Sequence, residues 1–242
     1  MVSTHGTSGL QAIADETWSV LERIAQALHV KNAELQPTLD AIVSTALDTI
    51  VSARYVGLIL VVQGELVPQA TTGDPPYVLD LLQQELGAGP CMDAGREQVV
   101  VHIEDMAGDR RWPVFAERAV SLGVASMLCV PLRVDQWQLG TLSLYGERAE
   151  AFSEQDLRLT CLFATHAALA LSEARRTEQL QAALRNRDLI GQAKGILMER
   201  HRVTADDAFR RLAKASQHAN LKLTTVAQHL VDTGELLGAD PA

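Results

Sequence analysis

Tyr55-Val56-Gly57-Leu58-Ile59-Leu60-Val61-Val62 is an unbroken apolar run, followed by Gln63-Gly64 and then by Glu65 to Thr71. The run reads as a buried strand, Gln63-Gly64 as a tight turn, and 65–71 as the return strand of a hairpin. Upstream, Pro37 suits the first turn of a helix whose Leu39, Ile42, Val43, Ala46 and Ile50 face inward. Further upstream, Leu10 to Val30 places Ile13, Val20, Leu21, Ile24 and Leu28 roughly on one helical face. Downstream, Gly73-Asp74-Pro75-Pro76 precedes a short helix, Tyr77 to Leu86, which Gly87 ends. A loop, Gly87-Ala88-Gly89-Pro90-Cys91, then leads to a strand at Val99 to Ile103, and a helix follows Pro113. Ala125 to Val134 and Trp137 to Tyr145, joined by Asp135-Gln136, read as a second hairpin. Hairpins segregated from helices predict an α+β fold, an antiparallel sheet with flanking helices.

From Ser153 the pattern is helical. Ser153-Glu154-Gln155-Asp156 is a capping-box sequence, and neither glycine nor proline interrupts the chain from there to Gly191. Leu157, Cys161, Ala164, Ala168 and Leu171 are apolar enough to pack on the sheet; beyond Glu173 the apolar stripe narrows to Leu180, Ala183 and Leu184. A narrow stripe on such a helix predicts burial against a second copy, a homodimer. Thr204-Ala205-Asp206-Asp207 caps a further helix that Asn220 is suited to end, and Leu223 opens a last short helix that stops near Gly234. The C-terminal part is therefore expected to be a three-helix bundle at the end of a long connecting helix.

Composition narrows the class. Forty-seven per cent of the 242 residues are hydrophobic, enough for a packed core, and no stretch is long enough to span a bilayer. Cys91, Cys129 and Cys161 lie 38 and 32 residues apart, without metal or disulfide spacing, which suits a reducing, cytoplasmic location. The net charge of −9 is divided unevenly: residues 1–184 carry 12 basic and 23 acidic side chains, residues 185–242 carry 9 and 7. An acidic body with a basic end fits a polyanion partner at that end, and equally an ordinary solvated helical surface.

Leu189-Ile190-Gly191-Gln192-Ala193-Lys194-Gly195-Ile196-Leu197-Met198 is the most informative segment. Two glycines four apart cost a helix about 1 kcal/mol each relative to alanine. They leave one face bare, either for a crossing helix or for a ligand's close approach. Lys194 adjoins that face, Arg200 and Arg202 lie at the helix end, and Arg210, Arg211 and Lys214 lie on the next helix, a set able to grip phosphates. This run, with Asp207-Ala208-Phe209, Ser216-Gln217, Asn220-x-Lys222-Leu223 and Val226-Ala227, resembles the ANTAR domain, the RNA-binding module of antitermination regulators. It departs from that pattern at Ala213, where an arginine often follows the leucine, here Leu212. The resemblance implies binding of hairpin loops in nascent transcripts, with Gln192, Ala193, Lys194, Gly195, Arg200, Arg202, Arg211 and Lys214 as candidate contacts. Phe209, by its spacing, is expected in the bundle core.

Gly89-Pro90-Cys91, Asp109-Arg110-Arg111-Trp112-Pro113, Gly123-Val124-x-Ser126, Val130-Pro131-Leu132 and Gly140-Thr141-Leu142-Ser143-Leu144-Tyr145 resemble a GAF domain. The resemblance implies a small-molecule sensor and leaves the ligand unnamed. Cys91, in the loop after Gly-Pro, is a candidate ligand or redox residue, with a structural cysteine as the plainer reading. Cys129 in a strand and Cys161 in a helix offer it no obvious resolving thiol. His102 lacks a second histidine at ligand spacing, so no metal site is expected, and no nucleotide fingerprint or nucleophile elbow is present. The expected organisation is an N-terminal segment and helix over 1–35, a GAF-type sensor over 36–173, a helical connector over 174–188 and an ANTAR-type domain over 189–238. The expected function is a non-enzymatic, signal-responsive RNA-binding regulator. The alternatives are a GAF-type redox or small-molecule enzyme with a helical dimerisation tail, and a DNA-binding regulator.

Overall fold

The computed structural model describes residues 22–28 and 34–237. Five strands form one antiparallel sheet: β1 (Tyr55–Val62), β2 (Glu65–Thr71), β3 (Val101–Ile103), β4 (Ser126–Val134) and β5 (Trp137–Gly146), in the order β2-β1-β5-β4-β3. The first turn works because Gln63 (φ 54°) and Gly64 (φ 88°) are both left-handed, the twist that a two-residue hairpin needs. Where β5 crosses β1, Leu60 pairs with Gly140, whose φ is 153°. A side chain there would collide with the Ile59 carbonyl, so glycine sets how closely the two strands meet.

Side chains alternate across the sheet. Leu58, Leu60, Leu128, Val130, Leu142 and Leu144 face one core, closed by α1 (Leu35–Thr49) and by Phe163, Ala164, Ala168 and Leu171 of α5 (Glu154–His201). Of the N-terminal helix expected over 10–30, residues 22–27 are helical, with Ile24 and Leu28 buried in this core; Ile13, Val20 and Leu21 lie outside the described residues. Ile59, Met127, Cys129 and Tyr145 face the other core, beneath α2 (Asp74–Leu86), α3 (Pro90–Glu97) and α4 (Pro113–Ser121). The helix α3 corrects the loop expected around Cys91. Pro90 fits its first turn, but eight residues including Gly95 carry too little periodicity to announce a helix.

The chain divides into two compact units at Thr177/Glu178. α5, 48 residues long, supplies the last helix of the first unit and the first helix of the second. Its capping box is formed: the Asp156 N–H donates to Ser153 Oγ (3.2 Å), and the Ser153 N–H donates to Asp156 Oδ2 (2.9 Å). In the second unit α6 (Ala205–Ala219) starts at Thr204, whose Oγ1 accepts from the Asp207 N–H at 3.2 Å. It ends at left-handed Asn220, and α7 (Leu223–Thr233) ends at Gly234. Ala193, Leu197, Ala208, Leu212, Ala215, Val226, Ala227 and Leu230 form the core of this bundle. No described helix is long and apolar enough to cross a membrane.

Candidate functional site

The helical unit presents a bare, basic face. An added Cβ at Gly191 or Gly195 would meet nothing within 4 Å, so no helix among the described residues crosses the two glycines. Beside them Arg187, Lys194, Asn186, Ile190, Gly191 and Phe209 line a cleft of about 510 Å³. Phe209 is 43% exposed, which corrects its expected place in the core. Its neighbours Ala208 and Leu212 take the inward positions of α6, leaving the ring on the outer flank. Lys194 is half-buried, while Arg211, Lys214 and Gln192 are exposed. An aromatic ring beside two cations and an uncovered helix backbone suits a base with its phosphate.

The remaining candidates lie outside the lining of this cleft. Ala193 is fully buried, one turn before Leu197, in the core cluster that it shares with residues of α6 and α7. Arg200 donates through Nη1 to the Gly234 carbonyl, tying α5 to the end of α7. Arg202 forms an exposed ion pair with Glu199 at 2.9 Å, and Arg210 pairs with Asp207. Such surface pairs contribute little stability and leave the guanidinium groups competent for other anions.

In the sheet unit Cys91 opens α3 and is fully buried. Gln83 of α2 clasps it: Gln83 Oε1 accepts from the Cys91 N–H (2.8 Å), and Gln83 Nε2 donates to Cys91 Sγ (3.1 Å). Thr141 Oγ1 donates to the Cys91 carbonyl at 3.1 Å, and Ser143 Oγ lies 3.1 Å from Cys91 Sγ. Gly89 is required next to this clasp, because a side chain there would collide with Gln83. Cys129 Sγ lies 3.9 Å from Cys91 Sγ. The structure thus supplies the neighbouring thiol that the sequence spacing concealed. Thr141, Ser143 and Tyr145 alternate along β5 and share a face with Cys129; polar residues at every second position of an apolar strand were the available signal.

Asp80 completes the cluster. The Tyr145 hydroxyl donates to Asp80 Oδ1 at 2.9 Å, while buried Oδ2 has no hydrogen-bond partner. Burial, then the neighbouring Cys91 charge, holds this carboxyl well above the usual carboxylate range. Burial also opposes ionisation of Cys91, but hydrogen bonds from Cys129, Ser143, Gln83 and Tyr145 outweigh it and bring the thiol to about 7. Burial, then Cys91, raises Cys129 well above an ordinary thiol. The two sulfurs are therefore unlike. The Asp109-Arg-Arg-Trp-Pro segment holds the layer above: Trp112 Nε1 donates to Asp93 Oδ2 (2.9 Å), and the Arg111 guanidinium lies 4.5 Å from the Trp112 ring centre.

A sensor-type sheet unit and a three-helix unit, joined by one helix, define a two-domain regulator of the GAF–ANTAR class. A GAF domain model matches residues 32–172 and an ANTAR domain model residues 178–231. The chain belongs to the GAF domain family and carries an ANTAR domain after it. No curated protein matches the sequence. Among solved structures, free methionine-R-sulfoxide reductase from Neisseria meningitidis is 21% identical with a TM-score of 0.52, over 65% of this chain and 89% of that one. The GAF domain of a phosphoenolpyruvate-protein phosphotransferase from Coxiella burnetii is 20% identical with a TM-score of 0.51, over 67% and 96%. Its counterpart from Acinetobacter is 17% identical with a TM-score of 0.50, over 66% and 95%. At these identities the likeness is one of fold.

Proposed function

We propose that this chain is a signal-responsive, RNA-binding transcription antitermination regulator, working in the cytoplasm as a homodimer. In this reading the ANTAR unit holds hairpin loops of nascent RNA, and the GAF unit controls it in response to a small molecule. The observation that carries the reading is the cleft of Arg187, Lys194, Gly191 and Phe209 on an otherwise helical, basic surface. Unpaired loop bases offer the faces that such a ring stacks on, and a duplex hides them. Gln192, Arg211 and Lys214 supply polar and phosphate contacts around it. α5 is the transmitter, with no glycine or proline between Ala151 and Ile190 to uncouple its two ends.

The test is a selection from a pool of RNA hairpins with randomised loops, using the full chain. Retention of particular loop sequences, with duplex DNA of the same stems failing to compete, is the expected outcome. Retention of duplex DNA in preference to the hairpins would overturn the reading.

The dimer rests on Leu180 and Leu184 of α5, each 59% exposed and one turn apart on the same helical face. Burying such a stripe against its copy is what a paired helix does. Glutamate at both positions is expected to halve the mass observed by analytical ultracentrifugation at micromolar concentration. A wild type that sediments as a monomer would exclude this interface.

A reductase reading has one observation in its favour, the closeness of Cys91 and Cys129. Both sulfurs, however, are fully buried.

A further inference from the structure

Cys91 and Cys129 come from different elements, the start of α3 and the middle of β4, and meet on one side of the sheet. Their sulfurs are 3.9 Å apart, and a disulfide requires about 2.05 Å. Closing the gap takes an approach of about 1.9 Å, and on one side of it stands α3, a single short helix bounded by Gly89 and left-handed Gln98. The same layer is otherwise built from Ile59, Leu79, Met92, Ile103, Phe115 and Met127. Yet Gln83, Ser143, Tyr145 and Asp80 are all turned toward Cys91 Sγ.

We propose that Cys91 and Cys129 are a redox-active dithiol that small hydroperoxides convert into an intramolecular disulfide. The Cys91 thiolate attacks one peroxide oxygen: an S–O bond forms, the O–O bond breaks, and the departing oxygen leaves as water or an alcohol after taking a proton from solvent. The Cys91 sulfur, oxidised by two electrons, is then a sulfenic acid. The Cys129 sulfur attacks it, the S–S bond forms, and the hydroxyl group leaves with the Cys129 proton as water. The hydrogen bonds that favour the Cys91 thiolate, and the burial that keeps Cys129 a thiol, divide the roles of attacking and resolving sulfur. Closure takes Cys91 Sγ away from Gln83 and Ser143, so oxidation loosens the clasp between α2 and α3 and re-forms the face beneath them.

Cys161 is the internal control. It lies on α5, against the opposite core, is partly exposed, and burial raises its thiol. Exposure alone would make it the first thiol to oxidise; the proposal makes it the last. The experiment treats the full-length chain with hydrogen peroxide and maps peptides by mass spectrometry. The expected main product is a Cys91–Cys129 linked peptide, lighter by two hydrogens and reversed by dithiothreitol. It should form about tenfold faster at about pH 8 than at about pH 6, as the thiolate population rises through a pKa of about 7. Cys161→Ser is expected to leave that product unchanged. Cys129→Ala is expected to leave Cys91 as a sulfenic acid that dimedone traps. Should Cys129→Ala fail to fold, the wild-type map and the Cys161→Ser map still decide. Oxidation at Cys161 ahead of the pair, or at Cys91 without linkage to Cys129 in the folded wild type, would overturn the proposal.

Discussion

Alanine at both Lys194 and Phe209 is expected to weaken binding of a selected hairpin RNA about 100-fold, with little change in thermal stability. A stacked base contributes about 1–3 kcal/mol by alanine substitution, and each tenfold loss corresponds to about 1.4 kcal/mol. One stacking contact and one phosphate contact together therefore account for about two decades. The two losses are separable by salt. Lys194→Ala, like Arg211→Ala, should flatten the dependence of log affinity on log salt by about 0.7 for each phosphate contact in a single-stranded loop. Phe209→Ala should lower affinity while leaving that slope unchanged. Neither change should unfold the bundle, because Phe209 is 43% exposed and Lys194 lies outside the buried core of the three helices. Fluorescence anisotropy across a salt series reads both quantities. Unchanged affinity in the double variant would remove this cleft from the interface.

The largest stability effect is expected at Gly140. Alanine there must place its Cβ on the Ile59 carbonyl, which is backbone and part of the central β1–β5 pairing, and must also hold a φ of 153°. Neither strand can retreat, because β1 is fixed by β2 on its other edge and β5 by β4. Gly140→Ala should therefore cost more than about 3 kcal/mol, in the range reserved for overpacking and backbone strain. The corresponding change at Gly123 is the control. Its φ is 79° and nothing lies near an added Cβ, so only the conformational cost remains, about 1 kcal/mol. Thermal unfolding of the two variants side by side separates steric collision from left-handed strain. Equal losses at both positions would contradict the argument from the strand crossing.

The hairpins were legible because their signals are local: apolar runs of strand length, and turn residues that accept positive φ, occur together at Gln63-Gly64. The helix caps at Ser153 and Thr204 were legible for the same reason, since a cap is an exchange between residues three apart. The helix at Pro90 was not, because it is held by Gln83 and Thr141 from elsewhere in the chain rather than by its own pattern. The thiol pair was hidden for a related reason. Thirty-eight residues separate Cys91 from Cys129, and only the strand pairings that put Cys129 opposite Ser143 reveal which face its sulfur takes. In the helical unit, residue types in the Ala-Lys-Gly block did not disclose which side of the helix each residue occupies. Ala193 and Arg200 belong to the core and to the α5–α7 tie, and Phe209, assigned to the core by its spacing, stands in the cleft. Helical periodicity alone does not separate the two flanks of an inward face once two other helices share it.

The central claim is that the cleft on the helical unit receives an unpaired RNA base. The most direct measurement compares the affinity of the full-length chain for one selected hairpin with that for the same hairpin whose loop sugars carry no bases. The stem and phosphate charge are then identical, and only the stacking faces are removed. The wild type should lose at least about tenfold in affinity, consistent with about 1–3 kcal/mol per stacked base, and Phe209→Ala should distinguish the two RNAs far less. Equal affinity of the wild type for the intact and the base-free loop would contradict the account.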